Sequence, residues 1–202
     1  MEVITITHKH THCYLLRNSS KWVMLDALWP NSFSMLTAAL QEYKILFTDI
    51  ACLFITHFHM DHAGLAQVLK DHDVKLYLHE CQCGYADNMN RFFIRKPDKT
   101  YRPIIEEDCT IVTSEQSRLL LQKFCVRGVL LSTPGHTMDS ISLAIDECCA
   151  FTGDLPHLDI IDGSSLWAHY SWEQLRCHQV KEIYPAHGDK YQVAFDTRVF
   201  QV

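Results

Sequence analysis

Apolar and polar positions alternate from the first residues of the chain, so residues 2–7 read as a strand, and residues 12–17 and 21–26 continue as two more, ending at Asp26. The period then changes. Pro30-Asn31-Ser32 opens a helix whose apolar face is Phe33, Leu36, Leu40 and Tyr43, at spacings of three and four. A buried strand follows over 51–56, a helix at about 63–70, and a further strand at Lys75-Leu76-Tyr77-Leu78. This alternation of strand and helix indicates an α/β arrangement. Residues 88–106 break it: Asn88 to Arg95 mixes aromatics with arginines, and Pro97 and Pro103 bracket an irregular stretch. Such a segment reads as a lid, a substrate loop or a solvated surface connection. Strand-like runs near 109–113, 118–121, 124–131, 141–145 and 148–152 then point to a second sheet.

The run Leu53-Phe54-Ile55 leads into His57-Phe58-His59-Met60-Asp61-His62, four metal-capable side chains within six residues. A buried strand that ends this way delivers the cluster to a sheet edge, where a cleft can form. Histidine and aspartate at this density repel and desolvate one another unless a cation offsets the cost, and both are ligands for zinc, iron or manganese. His57 and His59 can chelate one ion while the adjacent Asp61 and His62 chelate another. One hexapeptide cannot close two coordination shells, so further ligands must come from elsewhere. A polar loop with chance histidines is the alternative.

Three later segments repeat the device. His136 lies in Ser132-Thr133-Pro134-Gly135-His136-Thr137, just past an apolar strand. Asp154 closes Phe151-Thr152-Gly153-Asp154, and His187 lies in Ile183-Tyr184-Pro185-Ala186-His187-Gly188. Each candidate ligand stands at the carboxyl end of a predicted strand, several beside a glycine that allows close backbone packing.

Composition narrows the partners. At 202 residues the chain fits one domain, 1–202, and 48% hydrophobic with 21% charged residues is ordinary for a globular protein. A net charge of −6 without a lysine or arginine run argues against a nucleic-acid partner. The N-terminus lacks the basic and apolar regions of a signal peptide, and no apolar run reaches membrane-spanning length, so the expected location is the cytosol. The nine cysteines form no C-x-x-C pair and are an odd number, and Cys52, Cys125 and Cys149 fall in apolar runs; buried reduced thiols are expected. His8, His10 and His12 alternate on what reads as a solvated strand.

In T-H-F-H-M-D-H, T-P-G-H-T, T-G-D and P-A-H-G, in that order over residues 56–188, the chain resembles the metallo-β-lactamase superfamily. The resemblance implies a four-layer αββα sandwich with a two-metal site at one edge of the paired sheets. By position it assigns His57, His59 and His136 to one metal, Asp61, His62 and His187 to the other, and Asp154 to both. Nitrogen and oxygen donors without sulfur suit two divalent ions, zinc first, with iron or manganese compatible. The implied chemistry is hydrolysis of a small ester, thioester, lactone or phosphoester by a hydroxide shared between metals about 3.5–4 Å apart. Asp61 is the catalytic candidate, orienting the nucleophile and shuttling a proton.

The departures from the family pattern are informative. Asp26 is followed by Ala27-Leu28-Trp29-Pro30 rather than an early glycine, which predicts a reshaped rim near Trp29. The main zinc β-lactamases place cysteine where Asp154 stands, and flavodiiron proteins place glutamate where His59 stands; both differences argue against those activities. The alternatives are a mononuclear-iron persulfide dioxygenase, which keeps the motifs but fills one site, and a non-catalytic sensor, disfavoured because all the ligand positions are kept. Phe58, His157, His169, Tyr170 and Tyr191 are pocket candidates. Arg91, Arg95 and Arg102 would suit an anionic small-molecule substrate.

Overall fold

The N-terminal alternation builds an antiparallel meander of β1 (Glu2–His8), β2 (Thr11–Arg17) and β3 (Trp22–Leu25) in a computed structural model that describes residues 1–162 and 164–195. The chain then crosses over through α1 (Phe33–Glu42) to β4 (Ile50–Phe54), which lies parallel to β3. α2 (Met60–Ala63) and α3 (Ala66–Asp71) lead to β5 (Leu76–His79), and α4 (Ala86–Arg95) leads to β6 (Thr110–Val112). These six strands form one sheet in sequence order, its second half parallel. After α5 (Ser114–Gln122) come β7 (Gly128–Ser132), β8 (Ile141–Ile145) and β9 (Cys149–Gly153). α6 (Leu166–Cys177), β10 (Glu182–Pro185) and β11 (Tyr191–Gln192) complete a second sheet in the order β11-β10-β9-β8-β7.

β3, β8 and β9 are covered on both faces and so are buried at every position rather than alternating, although Ser142 and Thr152 are polar. Three clusters of buried side chains separate four layers. Leu15, Met24 and Leu53 pack against Leu36, Leu40, Leu69 and Met89 on the helical side of the first sheet. Leu16, Leu25, Phe54, Leu130, Leu143 and Phe151 fill the space between the sheets. Ala144, Ala150 and Ile183 meet Trp172 and Leu175 of α6 on the outer side of the second sheet. This is the αββα sandwich expected from the motifs. No described helix is long and apolar enough to cross a membrane.

Several local expectations need correction. Residues 88–95 are helical, because the Glu106 carboxylate accepts from the backbone N–H groups of Gly84 and Ala86, both at 2.8 Å, and so satisfies the start of α4. The run 118–121 lies in α5: Thr113 and Gln116 form a capping box, and Ser117 and Leu121 are buried while Leu119 is exposed. The run at 124–131 becomes a strand only from Gly128, because Cys125 turns with φ 59°. Tyr43 caps α1 and is 52% exposed, so only the first three of its four expected apolar positions pack inward. Cys13, Cys52 and Cys149 are buried thiols, whereas Cys83, Cys125, Cys148 and Cys177 are exposed; all nine are free.

Candidate metal centre

Strand ends from both sheets converge at one edge of the sandwich. His57 follows β4, Asp61 and His62 lie on α2, Asp154 follows β9 and His187 follows β10. His136 sits on the β7–β8 turn, where Ser140 Oγ accepts from the Thr137 N–H at 3.2 Å. Two glycines permit the approach of these segments. A Cβ on Gly64 would lie 2.4 Å from both Leu28 O and Pro30 N, and one on Gly153 would lie 2.6 Å from Thr56 Oγ1. Gly153 also holds φ 56°, a left-handed conformation. The rim at Asp26 is built differently from the family pattern: Asp26 and Leu28 themselves adopt φ 63° and 54°, and the small residue at this junction is Gly64.

All seven sequence-selected residues come together, in two groups. Ligand atoms of His57, His59, His136 and Asp154 lie within 4.8 Å of one another, as do those of Asp61, His62 and His187. Asp154 faces both groups. Its Oδ2 is 3.8 Å from His57 Nε2 and 3.5 Å from His136 Nε2, while its Oδ1 is 3.4 Å from His62 Nε2 and 3.3 Å from His187 Nε2. His57 and His62 are buried; His59, His136 and His187 are exposed, so the centre opens to solvent on one side.

Outer partners set which ring nitrogen looks inward. Asp26 accepts from His62 Nδ1 at 2.9 Å, and from Thr56 N and Oγ1 at 2.7 and 2.9 Å. His187 Nδ1 donates to the His10 carbonyl at 2.8 Å, and His12 Nε2 donates to the Gly188 carbonyl at 2.9 Å. The β1–β2 turn therefore orients His187 through backbone and a neighbouring ring, a role that alternation of His8, His10 and His12 did not suggest. Asp139 accepts from Phe58 N at 2.8 Å, and Gln82 bridges the carbonyls of Ile55 and Asp139, tying the His57–His62 segment to the turn that carries His136. Asp26 was readable as a kept aspartate; Asp139 and Gln82 carry no sequence signal.

The atoms inside this shell suit cations. His62 Nε2 and Asp154 Oδ1 are buried and make no hydrogen bond. His59 Nδ1 lies 3.0 Å from His57 Nε2 and 3.1 Å from His136 Nε2, and one proton cannot serve both contacts. Such converging lone pairs are costly without a shared positive charge. Burial, and then the neighbouring imidazoles, hold His57 well below the usual histidine range, so its ring is neutral and free to ligate. Burial likewise lowers His136. Burial opposes a charge on His62 too, but Asp26 and Asp154 outweigh it and push the ring up to about 10. Burial would raise Asp154, yet His62, His187 and His136 hold its carboxyl below the usual range. A proton on His62 thus stands in for positive charge between Asp26 and Asp154.

Two cavities flank the centre. One, of about 380 Å³, is lined by His136, Asp154 and His187 with Leu155, His157 and Tyr191. The other, of about 560 Å³, is lined by His59 and Asp61 with Trp29, Phe58, Met89 and Phe92. Of the pocket candidates, Phe58, His157 and Tyr191 therefore line cavities at the site. His169 instead donates to the Asp162 carbonyl at 3.0 Å, and Tyr170 packs edge-on with Trp167.

Comparison with known proteins gives this geometry a context. The chain is 26% identical over 195 residues to an atrochrysone carboxyl ACP thioesterase of Aspergillus novofumigatus, covering 90% of this chain and 50% of that one. It is also 26% identical over 195 residues to the beta-lactamase-like protein 2 homolog of Drosophila melanogaster, covering 91% and 60%. The chain thus spans between half and 60% of the length of these relatives. A metallo-beta-lactamase family protein from Thermus thermophilus superposes with a TM-score of 0.69 at 18% identity, covering 94% of this chain and 74% of that one, which is a likeness of fold. The family model described as the metallo-beta-lactamase superfamily matches residues 6–187, from β1 to the last of the seven clustered residues, and the chain belongs to that superfamily.

Proposed function

We propose that this chain, as one domain over 1–202, is a binuclear metal-dependent hydrolase of a small ester, thioester, lactone or phosphoester. The observation that carries the reading is the position of Asp154, with one carboxylate oxygen facing each group of histidines. His57, His59 and His136 hold one divalent ion, Asp61, His62 and His187 hold the other, and Asp154 serves both. Seven nitrogen and oxygen donors without sulfur favour zinc and accept iron or manganese. When bound, such ions lower the pKa of water towards neutrality and polarise the scissile carbonyl or phosphoryl oxygen.

The chain's own residues supply orientation and proton handling. Asp61 Oδ2 lies 3.3 Å from His187 Nε2 and accepts from the Thr11 hydroxyl at 3.1 Å, which fixes its rotamer. From there it orients the attacking water and holds the proton that water gives up. The water oxygen bonds to the carbonyl carbon or phosphorus, the bond to the leaving oxygen or sulfur breaks, and that atom takes the proton. The relative named as a thioesterase makes a thioester the first substrate to test. The test is a panel of thioesters, lactones and phosphoesters, run with metal-loaded and chelator-stripped protein. Hydrolysis that requires metal supports the reading; one iron per chain with oxygen consumption and no hydrolysis contradicts it.

A further inference from the structure

The cavity beside His59 and Asp61 has a lining of its own kind. Trp29, Phe58, Met60, Met89 and Phe92 wall it with aromatic rings and thioethers. Its volume of about 560 Å³ lies within the range of small-molecule pockets, and a two-carbon acyl group would leave most of it unfilled. Because His59 and Asp61 belong both to this wall and to the two donor groups, a ligand seated here reaches the reactive centre. α4 supplies one side through Asn88, Met89, Phe92 and Arg95, which the helical repeat places along one face.

Three basic side chains, Arg95, Lys96 and Lys9, stand at or beside this cavity, whose lining also includes Asp61. Of the three arginines that the sequence singles out, Arg91 pairs with Asp87 at 3.5 Å and Arg102 with Asp71 at 3.2 Å. Arg95 lines the cavity and, among the described residues, has no ion-pair partner; its Nε donates to the Arg91 carbonyl at 3.3 Å. Lys96 Nζ lies 5.4 Å from the centre of the Phe92 ring, and Lys9 Nζ lies 5.1 Å from that of Trp29, where its charge also reaches Asp98. The Trp29 indole N–H is buried and makes no hydrogen bond.

We infer that this cavity is the acyl subsite of the proposed hydrolase, taking a flat aromatic or bulky apolar acyl group whose anionic substituent is read by Arg95. The inference rests on the hydrolase reading for its reaction, but not for its binding. Stacking against Trp29 and Phe92 supplies the apolar part. Arg95 supplies a forked donor suited to a carboxylate.

The test compares three N-acetylcysteamine thioesters, acetyl, 2-naphthoyl and 6-carboxy-2-naphthoyl, on zinc-loaded protein. The expected order of kcat/KM places carboxynaphthoyl above naphthoyl and naphthoyl above acetyl. Arg95→Gln lowers the carboxynaphthoyl value about tenfold, removing its advantage over naphthoyl, as loss of a partly exposed charge-assisted pair should. Arg102→Gln, which removes the same charge outside the cavity, keeps the wild-type ratio. A carboxynaphthoyl preference that is absent, or that survives Arg95→Gln, overturns the inference. If none of the three thioesters is hydrolysed, the thioester form of the hydrolase reading fails, and binding decides the subsite separately. In that case 2,6-naphthalenedicarboxylate must bind about tenfold tighter than 2-naphthoate, by probe fluorescence, with the difference lost in Arg95→Gln. Equal binding of the two probes overturns it.

Discussion

Replacing Asp26 with asparagine isolates the outer shell of the metal centre from its ligands. Asp26 is buried at 1% exposure with φ 63°, a conformation that asparagine tolerates well, so the backbone is not the variable. The carboxylate accepts three hydrogen bonds, one at Oδ1 from Thr56 N and two at Oδ2 from Thr56 Oγ1 and His62 Nδ1. An amide cannot replace it in either orientation. With its NH₂ at the Oδ2 position it faces His62 Nδ1–H, and the ring must move its proton to Nε2, the atom that faces Asp154. With its NH₂ at the Oδ1 position it opposes the Thr56 backbone N–H. Either way a buried charge-assisted bond is lost, worth about 1.5–3 kcal/mol. Loss of such an orienting partner typically lowers metal affinity by about 10–100-fold. Urea unfolding of the metal-free protein reads the first effect, and competition with a zinc chelator reads the second. A variant whose unfolding midpoint and zinc affinity both match wild type would refute the role assigned to Asp26.

The remaining predictions concern the scaffold. Gly64→Ala drives a methyl group into three backbone atoms, Leu28 O, Pro30 N and Met60 O, at 2.4–2.5 Å. Its denaturation midpoint should fall by the equivalent of about 1–3 kcal/mol, and an unchanged midpoint would contradict the close approach. Glu106→Gln loses one of the two acceptors at the start of α4, so it should cost about 0.5–2 kcal/mol and speed amide exchange over residues 84–90, read by hydrogen-exchange mass spectrometry. Burial would raise the Asp146 carboxyl, but Arg118 at 2.6 Å and His178 at 3.0 Å hold it below the usual range. A carboxyl depressed by folding contributes stability at pH above its unfolded value, and that stability disappears as pH falls through the folded value. Asp146→Asn should therefore flatten the acid limb of the stability profile and leave its slope near neutrality as in wild type.

What could be read from the sequence, and what could not, divides along physical lines. The β4 cluster and the segments at His136, Asp154 and His187 were legible because each couples a buried strand to a polar strand end within a few residues. Most strands of both sheets were legible too, as alternating or apolar runs bounded by turns, whereas the two-residue β11 gives no such pattern. α5 was hidden because Leu119-Leu120-Leu121 reads as a short strand, although the Thr113 and Gln116 capping box was there to be seen. α6 is marked only by a stripe of buried Ala168, Ser171, Trp172 and Leu175 at spacings of three, one and three, which carries no chemical motif. α4 was hidden for a different reason. Its N-terminus is satisfied by Glu106, which lies twenty positions downstream of Ala86, and no local window contains that partner. The His10 carbonyl could not be read at all, since every residue carries one and only the fold brings this one to His187.

The central claim is that the seven residues form two cation sites joined by Asp154. Metal content per chain, measured by inductively coupled plasma mass spectrometry on protein equilibrated with zinc and freed of excess, tests it most directly. The account predicts two equivalents for wild type and a fall in occupancy for Asp154→Ala. One equivalent in wild type, or two retained without Asp154, would contradict it.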